Sequence, residues 1–214
     1  MPYPSKTDRK TILSAALKQL EHAGIRELSL RNLAASLDLA PNAIYRYFSD
    51  RSALEAALAS EAARQMELAL RRAADGRERV AAIREMSAAY IKFAREHRHL
   101  YDVMMSPHVP KHDAIQHESL WAFTVEQVQR IAGSDLAAQA SVALWALLHG
   151  AVALEAAEVF GERKPASGLG FGFDAWLTTV STRGEPTEAL RTTATKAKAK
   201  NKVSVRESSM RRGT

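Results

Sequence analysis

The sequence predicts an all-α protein in which a small N-terminal three-helix head is joined by one long helix to a larger C-terminal helical domain. Apolar residues recur three and four positions apart along most of the chain, which is typical of amphipathic helices. No stretch shows the alternation expected of a strand. Residues 29–51 form two short periodic segments around a break at Asp38, which predicts a helix-turn-helix in the head.

Composition and charge narrow the class of protein. A chain of 214 residues is long enough to bury a full core, and the absence of cysteine excludes disulfides, thiolate metal sites and cysteine nucleophiles. Residues 1–52 and 184–214 carry an excess of positive charge, whereas residues 53–183 are slightly acidic. The basic N-terminal part fits phosphate binding, and the acidic middle argues against nucleic acid wrapping around the whole protein.

No membrane partner is expected. The N-terminus lacks the apolar core of a signal peptide. The most apolar run, Val142 to Leu154, is interrupted by His149 and is shorter than the roughly 20 residues that span a bilayer. We therefore interpret this run as a buried helix and expect a cytoplasmic protein.

The head begins with an amphipathic helix that Thr7 or Asp8 caps and that Gly24 ends. Leu30, Leu33 and Leu37 would share one face of the next helix, and Ser29, directly before it, can cap it. Aspartate at position 38 tolerates the left-handed conformation of a tight turn, and Pro41 suits the first position of a following helix. This helix is expected to run from Pro41 to Phe48.

The predicted second helix of this pair presents a polar strip. Ile44 and Phe48 lie four residues apart and face inward, which leaves Asn42, Ala43 and Arg46 outside. Asparagine pairs with adenine, arginine with guanine or phosphate, and alanine permits close approach to a base. An ordinary solvated face of a helical bundle is the alternative reading. The candidate DNA-binding residues are Ser29, Arg31, Asn42, Ala43, Tyr45, Arg46, Tyr47 and Arg51, the last placed to hold a phosphate at the start of the long helix.

A longer sequence pattern favours DNA binding over an ordinary solvated helix face. It comprises Gly24, Leu28-Ser29-Leu30, Leu33-Ala34, Leu37, Ile44-Tyr45, Phe48 and Arg51-x-x-Leu54. Residues 8–55 thereby resemble the DNA-binding domain of the tetracycline-repressor (TetR) family of bacterial regulators. Asp38 stands where the family usually has glycine, and Arg51 where it usually has lysine. The resemblance implies a homodimeric regulator, here expected to be a repressor, that binds double-stranded DNA at a pseudo-palindromic operator.

The second domain is predicted to contain further helices and no strand. The long helix runs from Arg51 to Asp75-Gly76. Glycines within residues 161–172 predict a loop, and residues 184–214, rich in Thr, Ala, Lys and Ser, predict a disordered basic tail. The expected domains are 1–52, 53–183 and the tail 184–214. The remaining helices are expected near residues 80–96, 100–105, 115–131, 136–160 and 173–180.

A short motif suggests what the second domain does. Trp145-x-x-x-His149-Gly150 resembles a Trp-x-x-x-His-Gly signature of one TetR subgroup. The resemblance implies a small-molecule effector site and a dimer built from the last two helices, and Gly150 suggests close helix contact. The candidate effector contacts are Met104, Met105, Trp121, Trp145 and His149, for which ordinary core packing is the alternative. The effector would be apolar or aromatic with one polar group.

Clustered histidines support a rival hypothesis. His97, His99, His108, His112 and His117 fall in one short stretch, which would suit a metal-responsive regulator or a metal-dependent helical hydrolase. The His-Glu-x-x-His pattern is absent, and the glycines at 168, 170 and 172 follow no predicted strand, so no nucleotide fingerprint is formed. We therefore favour solvated histidines, expect no cofactor or resident metal, and expect no enzyme.

Overall fold

The computed structural model describes residues 7–109, 115–159, 161 and 166–184, and every regular element within them is an α-helix. This confirms the predicted all-α class. In chain order the helices are α1 Arg9–Glu27, α2 Leu30–Ser36, α3 Pro41–Ile44, α4 Arg51–Ala74, α5 Arg79–Glu96, α6 Arg98–Met105, α7 Ile115–Ala132, α8 Ala137–Ala156 and α9 Ala166–Gly184.

The head is built by α1 to α3 around a small apolar core that includes Ile12, Leu20, Leu33, Ile44 and Phe48, all of them buried. The predicted capping of α1 is made by Asp8. Its carboxylate accepts a hydrogen bond from the Thr11 backbone N–H at 2.7 Å, and this bond lowers the pKa of Asp8. α1 kinks at Gly24, whose φ is +77°, before the chain continues to α2.

The turn of the helix-turn-helix has the conformation that the sequence predicts. Asp38 has φ +52°, and the Ser29 hydroxyl accepts the Asn32 backbone N–H at 3.4 Å at the start of α2. α3 is shorter than predicted, because regular helix ends at Ile44 rather than Phe48. The chain still turns helically beyond it, since the Phe48 N–H donates to the Ile44 carbonyl at 3.1 Å. Phe48 therefore returns to the core beside Ile44.

α4 is the longest helix and links the head to the second domain. Its 24 residues extend over about 36 Å, and the Asp50 carboxylate accepts the Ala53 N–H at 2.8 Å at its start. Leu54 and Leu58 are buried near the head, and Met66 and Leu70 are buried further along. In the second domain α4 packs against α5, α6 and α7, and α6 also packs against α1 of the head.

α8 is apolar around most of its surface, as predicted. It packs between α7 and α9, but Val142 is 56% exposed, Trp145 40% and Leu154 42%. By length and composition alone α8 could cross a membrane. In this fold it instead forms part of a helical bundle with one apolar face left uncovered by the described chain.

Several boundaries and one packing argument differ from the sequence prediction. α8 ends at Ala156 rather than near Phe160, and α9 begins at Ala166, so the expected glycine loop is largely helical. A side chain at position 172 would begin 2.7 Å from Leu147 Cδ1, whereas one at Gly150 would meet no atom of this chain within 4 Å. Within one copy of the chain, the close contact between helices is therefore at Gly172 and not at Gly150. The predicted disordered tail lies outside the described residues from position 185 onward.

Candidate functional site

The outer surface of the helix-turn-helix carries the predicted polar strip. Ile44 and Phe48 are buried, as the DNA-binding interpretation requires. Asn42 and Arg46 are exposed, and neither side chain makes a hydrogen bond or ion pair within the described chain. Tyr45 is 52% exposed beside them, and Ala43 is half-buried. Amide and guanidinium donors are therefore presented together on α3 and the helical turn that follows it, a segment narrow enough to enter a major groove.

Tyr47 is tied into the head itself. Its hydroxyl donates to the Thr7 carbonyl at 2.8 Å, and its own carbonyl accepts a hydrogen bond from Arg9 Nη1 at 2.7 Å. The Arg9 guanidinium also lies 4.3 Å from the centre of the Phe48 ring. We call residues 41–48, which carry the polar strip, the recognition segment. These contacts hold the start of α1 against the end of the recognition segment, so they support its orientation.

Of the remaining predicted DNA contacts, Arg31 is exposed, whereas Ser29 and Arg51 make hydrogen bonds within the head. Arg31 is exposed on α2, whereas Ser29 is half-buried and caps that helix. Arg51 Nη2 donates to the Ile25 carbonyl at 2.6 Å, and its Nε pairs with Glu55 at 2.7 Å. Arg51 thus joins the first turn of α4 to the end of α1, and its side chain is still 48% exposed.

A cavity of about 260 Å³ lies in the second domain between α4, α5, α6, α7 and α8. Of the predicted effector contacts, Met104, Met105, Trp121 and Trp145 line it, and His149 does not. The two tryptophan rings lie with their centres 6.0 Å apart. Lining residues that the sequence analysis did not name as effector contacts are Leu70, Ile83, Met86, Ser87, Tyr90, Ser106, Pro107, His117, Leu120, Thr124, Val128, Leu144 and Leu148.

A buried hydrogen-bonded chain runs behind one wall of this cavity. Trp145 Nε1 donates to the Tyr90 hydroxyl at 3.1 Å, the Tyr90 and Tyr101 hydroxyls are 2.8 Å apart, and the Tyr101 hydroxyl is 2.7 Å from His149 Nδ1. Burial raises the pKa of Tyr101 and of Tyr90, so both hydroxyls keep their protons. If Tyr90 donates to Tyr101 and Tyr101 donates to His149 Nδ1, every polar group in this series has a partner.

This chain explains the Trp-x-x-x-His spacing. Trp145 and His149 share a face of α8, as predicted, but they hold the two ends of the Tyr90–Tyr101 pair instead of both facing the cavity. His149 is therefore bonded to Tyr101 on α6 and does not line the cavity as an effector contact would. No pattern in the sequence identifies Tyr90 and Tyr101 as partners of the motif.

α6 connects the hydrogen-bonded series of Trp145, Tyr90, Tyr101 and His149 to the head. His97, directly before α6, has its Nδ1 3.0 Å from Glu21 Oε1 on α1. A side chain at Gly24 would begin 3.2 Å from atoms of the His99 ring, so α1 and α6 approach closely there. Tyr101 and Met104 follow on the same short helix. One helix therefore contacts both the head and the cavity.

The described histidines do not form a metal centre. His97 is engaged with Glu21, His99 lies against Gly24, and His117 lines the cavity. Within the ranges that the structure describes, no group of three or more His, Cys, Asp or Glu side chains could hold a metal ion. His112 and the rest of residues 110–114 lie outside those ranges. The metal-dependent alternative is not favoured by this arrangement.

Known proteins share this architecture. A protein of unknown function from Rhodococcus sp. RHA1 is 26% identical with a TM-score of 0.70, covering 85% of this chain and 99% of its own. A TetR variant from Acinetobacter baumannii AYE in complex with minocycline is 18% identical, with a TM-score of 0.63 and coverages of 84% and 99%. A TetR transcriptional regulator from Streptomyces coelicolor is 20% identical, with a TM-score of 0.62 and coverages of 84% and 100%. These likenesses support the fold.

Two family models match the sequence itself. Residues 12–58 match the model of bacterial regulatory proteins of the tetR family, and residues 83–170 match the model of the tetracyclin repressor-like C-terminal domain. No curated protein matches the chain at a significant level. The two models together cover more than half of the chain, including the exposed strip of the head and most of the cavity. The chain therefore belongs to the TetR family and is a DNA-binding transcriptional regulator.

Proposed function

We propose that this regulator is a homodimeric repressor without catalytic activity, which an uncharged apolar or aromatic small molecule releases from a pseudo-palindromic operator. The observation that carries this proposal is the cavity of about 260 Å³, because one of its walls, α6, also packs against the head. The head corresponds to residues 1–52 and the effector and dimerisation domain to residues 53–183. We expect the protein in the cytoplasm, where its DNA is found.

The size and chemistry of the cavity support the choice of effector. A cavity of about 150 Å³ holds benzene, so about 260 Å³ suits a compact molecule of roughly two fused rings. The lining is mainly methionine, tryptophan and aliphatic side chains, and its polar groups include Ser87, Tyr90 and Thr124. A ligand hydroxyl could donate to the Ser87 or Thr124 oxygen, because the hydrogens of these two side chains are donated to the Ile83 and Leu120 carbonyls. Minocycline, bound by the A. baumannii relative, shows that this fold can hold a multi-ring molecule.

Release would follow from different effector affinities for two positions of α6. A ligand against Met104, Met105 and Tyr90 contacts α6 and the partner of Tyr101. Because the His97–Glu21 contact joins this region to α1, displacement of α6 would be transmitted to the head. The Trp-x-x-x-His-Gly subgroup assignment remains part of this proposal, and it is supported by the shared network of Trp145 and His149.

The dimer is proposed to form through α8 and α9. Val142 and Leu154 on α8 are large apolar side chains that the described chain leaves exposed. A second copy on this face would remove them from water and would bring two recognition segments onto one side of the assembly. A two-fold assembly of this kind accounts for a pseudo-palindromic operator.

Selection of DNA by the purified full-length protein tests the operator proposal. We expect enrichment of a motif with two-fold symmetry, bound by two copies of the chain. The Arg46→Ala variant should lose the preference at the same base in both half-sites, whereas Leu68→Ala, at an exposed position on α4, should retain it. A motif without symmetry would contradict the dimeric arrangement. Higher transcription of a reporter carrying that motif when the regulator is absent would establish repression.

Calorimetry with 1-naphthol tests the cavity. This probe is uncharged, has two fused rings and carries one hydroxyl group. We expect saturable binding that Met105→Trp weakens, because Met105 is half-buried at the cavity wall and a larger side chain would occupy ligand volume. The matched variant Leu68→Trp lies outside the cavity and should bind normally. Equal binding by both variants would place the probe elsewhere.

A further inference from the structure

A second concave site lies where α4 ends against α7. This site has a volume of about 600 Å³, and four arginines line it. We call it the arginine pocket, and it is lined by Arg71, Arg72, Ala74, Asp75, Gly76, Arg77, Phe123, Gln127 and Arg130. None of the residues that bind DNA in the proposal above belongs to it.

The charges in the arginine pocket do not cancel. The lining contains four guanidinium groups and one carboxylate, that of Asp75, and the neighbouring Glu67 pairs with Arg71 at 2.7 Å. The C-terminal ends of α4 and α7 each add the equivalent of about half a negative charge. The positive charge still exceeds the negative charge, so the pocket attracts anions.

Most of the hydrogen-bond donors in the pocket are unused. Arg72 makes no side-chain hydrogen bond or ion pair in the described chain. Arg77 donates from Nη1 to the Asp75 carbonyl at 3.3 Å, and Arg130 from Nη1 to Gln127 Oε1 at 3.0 Å. Each guanidinium has five N–H donors in a planar fork that matches the oxygens of a phosphate. Three arginines that line one concave surface thus keep unused donors.

Arg71 and Phe123 pack against each other. The Arg71 guanidinium lies 4.1 Å from the centre of the Phe123 ring, and Phe123 is buried. The aromatic face is therefore covered by the protein and is not open to stack against a base. Recognition in this pocket depends on the charged groups, and the part of a ligand that it reads is the anionic part.

The DNA under the head cannot supply this anion. Arg71 lies twenty residues beyond Arg51 along α4, which is about 30 Å at 1.5 Å per residue. The pocket therefore lies at the opposite end of α4 from the helix-turn-helix. We propose that the arginine pocket binds a small molecule carrying a diphosphate or triphosphate group, as a second ligand site of this regulator.

Occupancy of this site would act on the walls of the effector cavity. Leu70, beside Arg71, lines that cavity from α4, while Thr124 and Val128, beside Phe123 and Gln127, line it from α7. An anion held jointly by Arg72 on α4 and Arg130 on α7 would fix these two helices relative to each other. This consequence rests on the proposed effector function, whereas binding of the anion does not.

Titration calorimetry on the full-length protein at constant ionic strength tests the proposal. The probes are inorganic triphosphate, pyrophosphate and adenosine triphosphate, all without magnesium. We expect one saturable site per chain, and triphosphate and adenosine triphosphate should bind within about threefold of each other because no aromatic face is available. The double variant Arg72→Ala/Arg130→Ala should weaken both at least about tenfold, since each lost bond involves a charged group.

A charge-matched double variant separates this pocket from general attraction. Lys92→Ala/Arg98→Ala removes two exposed positive charges from α5 and α6, whose ion pairs with Glu96 and Asp102 are long, at 3.9 and 4.0 Å. It should change the affinity by less than about twofold. Unchanged binding by the pocket variant, or equal weakening by both variants, would overturn the proposal and assign the anion to other basic segments. Absence of saturable binding by the unmodified chain would overturn it as well.

Discussion

The head and the second domain use their polar side chains in opposite ways. In the head, Arg9, Tyr47 and Arg51 bind backbone carbonyls, and these bonds hold the ends of short helices together. In the second domain, Tyr90 and Tyr101 bind each other and two side chains of α8 in the interior. Polar contacts therefore hold the head at its surface, and they join whole helices in the domain that contains the cavity.

This difference has a consequence for where each region tolerates change. The surface of the head keeps Asn42 and Arg46 free, since other side chains fasten the turns around them. A substitution on that strip should alter DNA recognition without altering the fold. In the second domain a single hydroxyl serves three helices, α5, α6 and α8, so a small chemical change there should affect both stability and the position of α6.

Substitution of the aromatic anchor of the head has the largest expected effect. Phe48→Ala removes a buried ring and should lower the free energy of unfolding by about 3–5 kcal/mol, with loss of DNA binding. Tyr45→Ala, three residues earlier but 52% exposed, should leave the free energy of unfolding almost unchanged. Chemical denaturation measures both. A comparable loss in the two variants would show that the strip and the core of the head are not separate.

Removal of one interior hydroxyl should have an intermediate effect. Tyr101→Phe leaves His149 Nδ1 and the Tyr90 hydroxyl without the group that joins them, and it should cost about 1–3 kcal/mol in the free energy of unfolding. Tyr45→Phe, which removes an exposed hydroxyl, is the matched control. Equal stability of Tyr101→Phe and the unmodified chain would show that the interior chain of bonds contributes nothing.

The same hydroxyl predicts alkaline sensitivity. Burial raises the pKa of Tyr101 above its ordinary value of 10.0, so the folded state keeps a proton that the unfolded state releases. This stabilisation is complete below about pH 10 and decreases as the pH rises above it. Unfolding measured between pH 8 and about 11 should show a smaller decline in Tyr101→Phe.

Replacement of the exposed arginine should act on recognition alone. Arg46→Ala is expected to relax the sequence preference by about 1–3 kcal/mol at one base position, with no change in unfolding. Arg51→Ala is expected to weaken all DNA sequences alike and to flatten the salt dependence. It should also destabilise the head slightly, because Arg51 binds the Ile25 carbonyl. Binding titrations at several salt concentrations distinguish them, and altered preference without a changed salt dependence in Arg51→Ala would reverse the assigned roles.

The smallest expected effect concerns the cap of α4. Hydrogen bonding to the Ala53 backbone N–H lowers the pKa of Asp50 below its ordinary value of 3.8. The cap therefore stabilises the folded state above about pH 4, and this contribution is lost as the pH falls through the lowered pKa. Asp50→Asn keeps an acceptor that does not titrate, so its stability should depend less on pH between about 2 and 5. An identical acid profile for both proteins would contradict this role.

The head could be predicted closely because its determinants are local. The spacing of Leu33, Ile44 and Phe48, the left-handed aspartate at position 38 and the cap at Ser29 all act within about 20 residues of chain. The predicted length of α3 was wrong, since regular helix ends at Ile44 and the chain continues in a turn that returns Phe48 to the core. The bonds of Arg9 and Arg51 to distant carbonyls could not be predicted, because both side chains fit a DNA-binding role equally well.

The cavity could be predicted only in part. Met104, Met105, Trp121 and Trp145 lie on apolar faces that the periodicity identifies, but the same pattern fits ordinary core packing. A cavity depends on what five helices leave empty between them, and no local pattern records that. The partnership of Trp145 and His149 with Tyr90 and Tyr101 depends on helix orientation for the same reason.

The contact at Gly172 has an implication for how such a regulator diversifies. There α9 rests against Leu147 of α8, and a Cβ at position 172 would begin 2.7 Å from Leu147 Cδ1, so the Leu147 side chain would have to shift. In the proposed dimer the two copies meet through these helices, so a bulky residue at position 172 that also displaced α9 would change how one copy sits against the other. The distance between half-sites could then change through a mutation remote from the DNA, with every base-reading side chain left as it was.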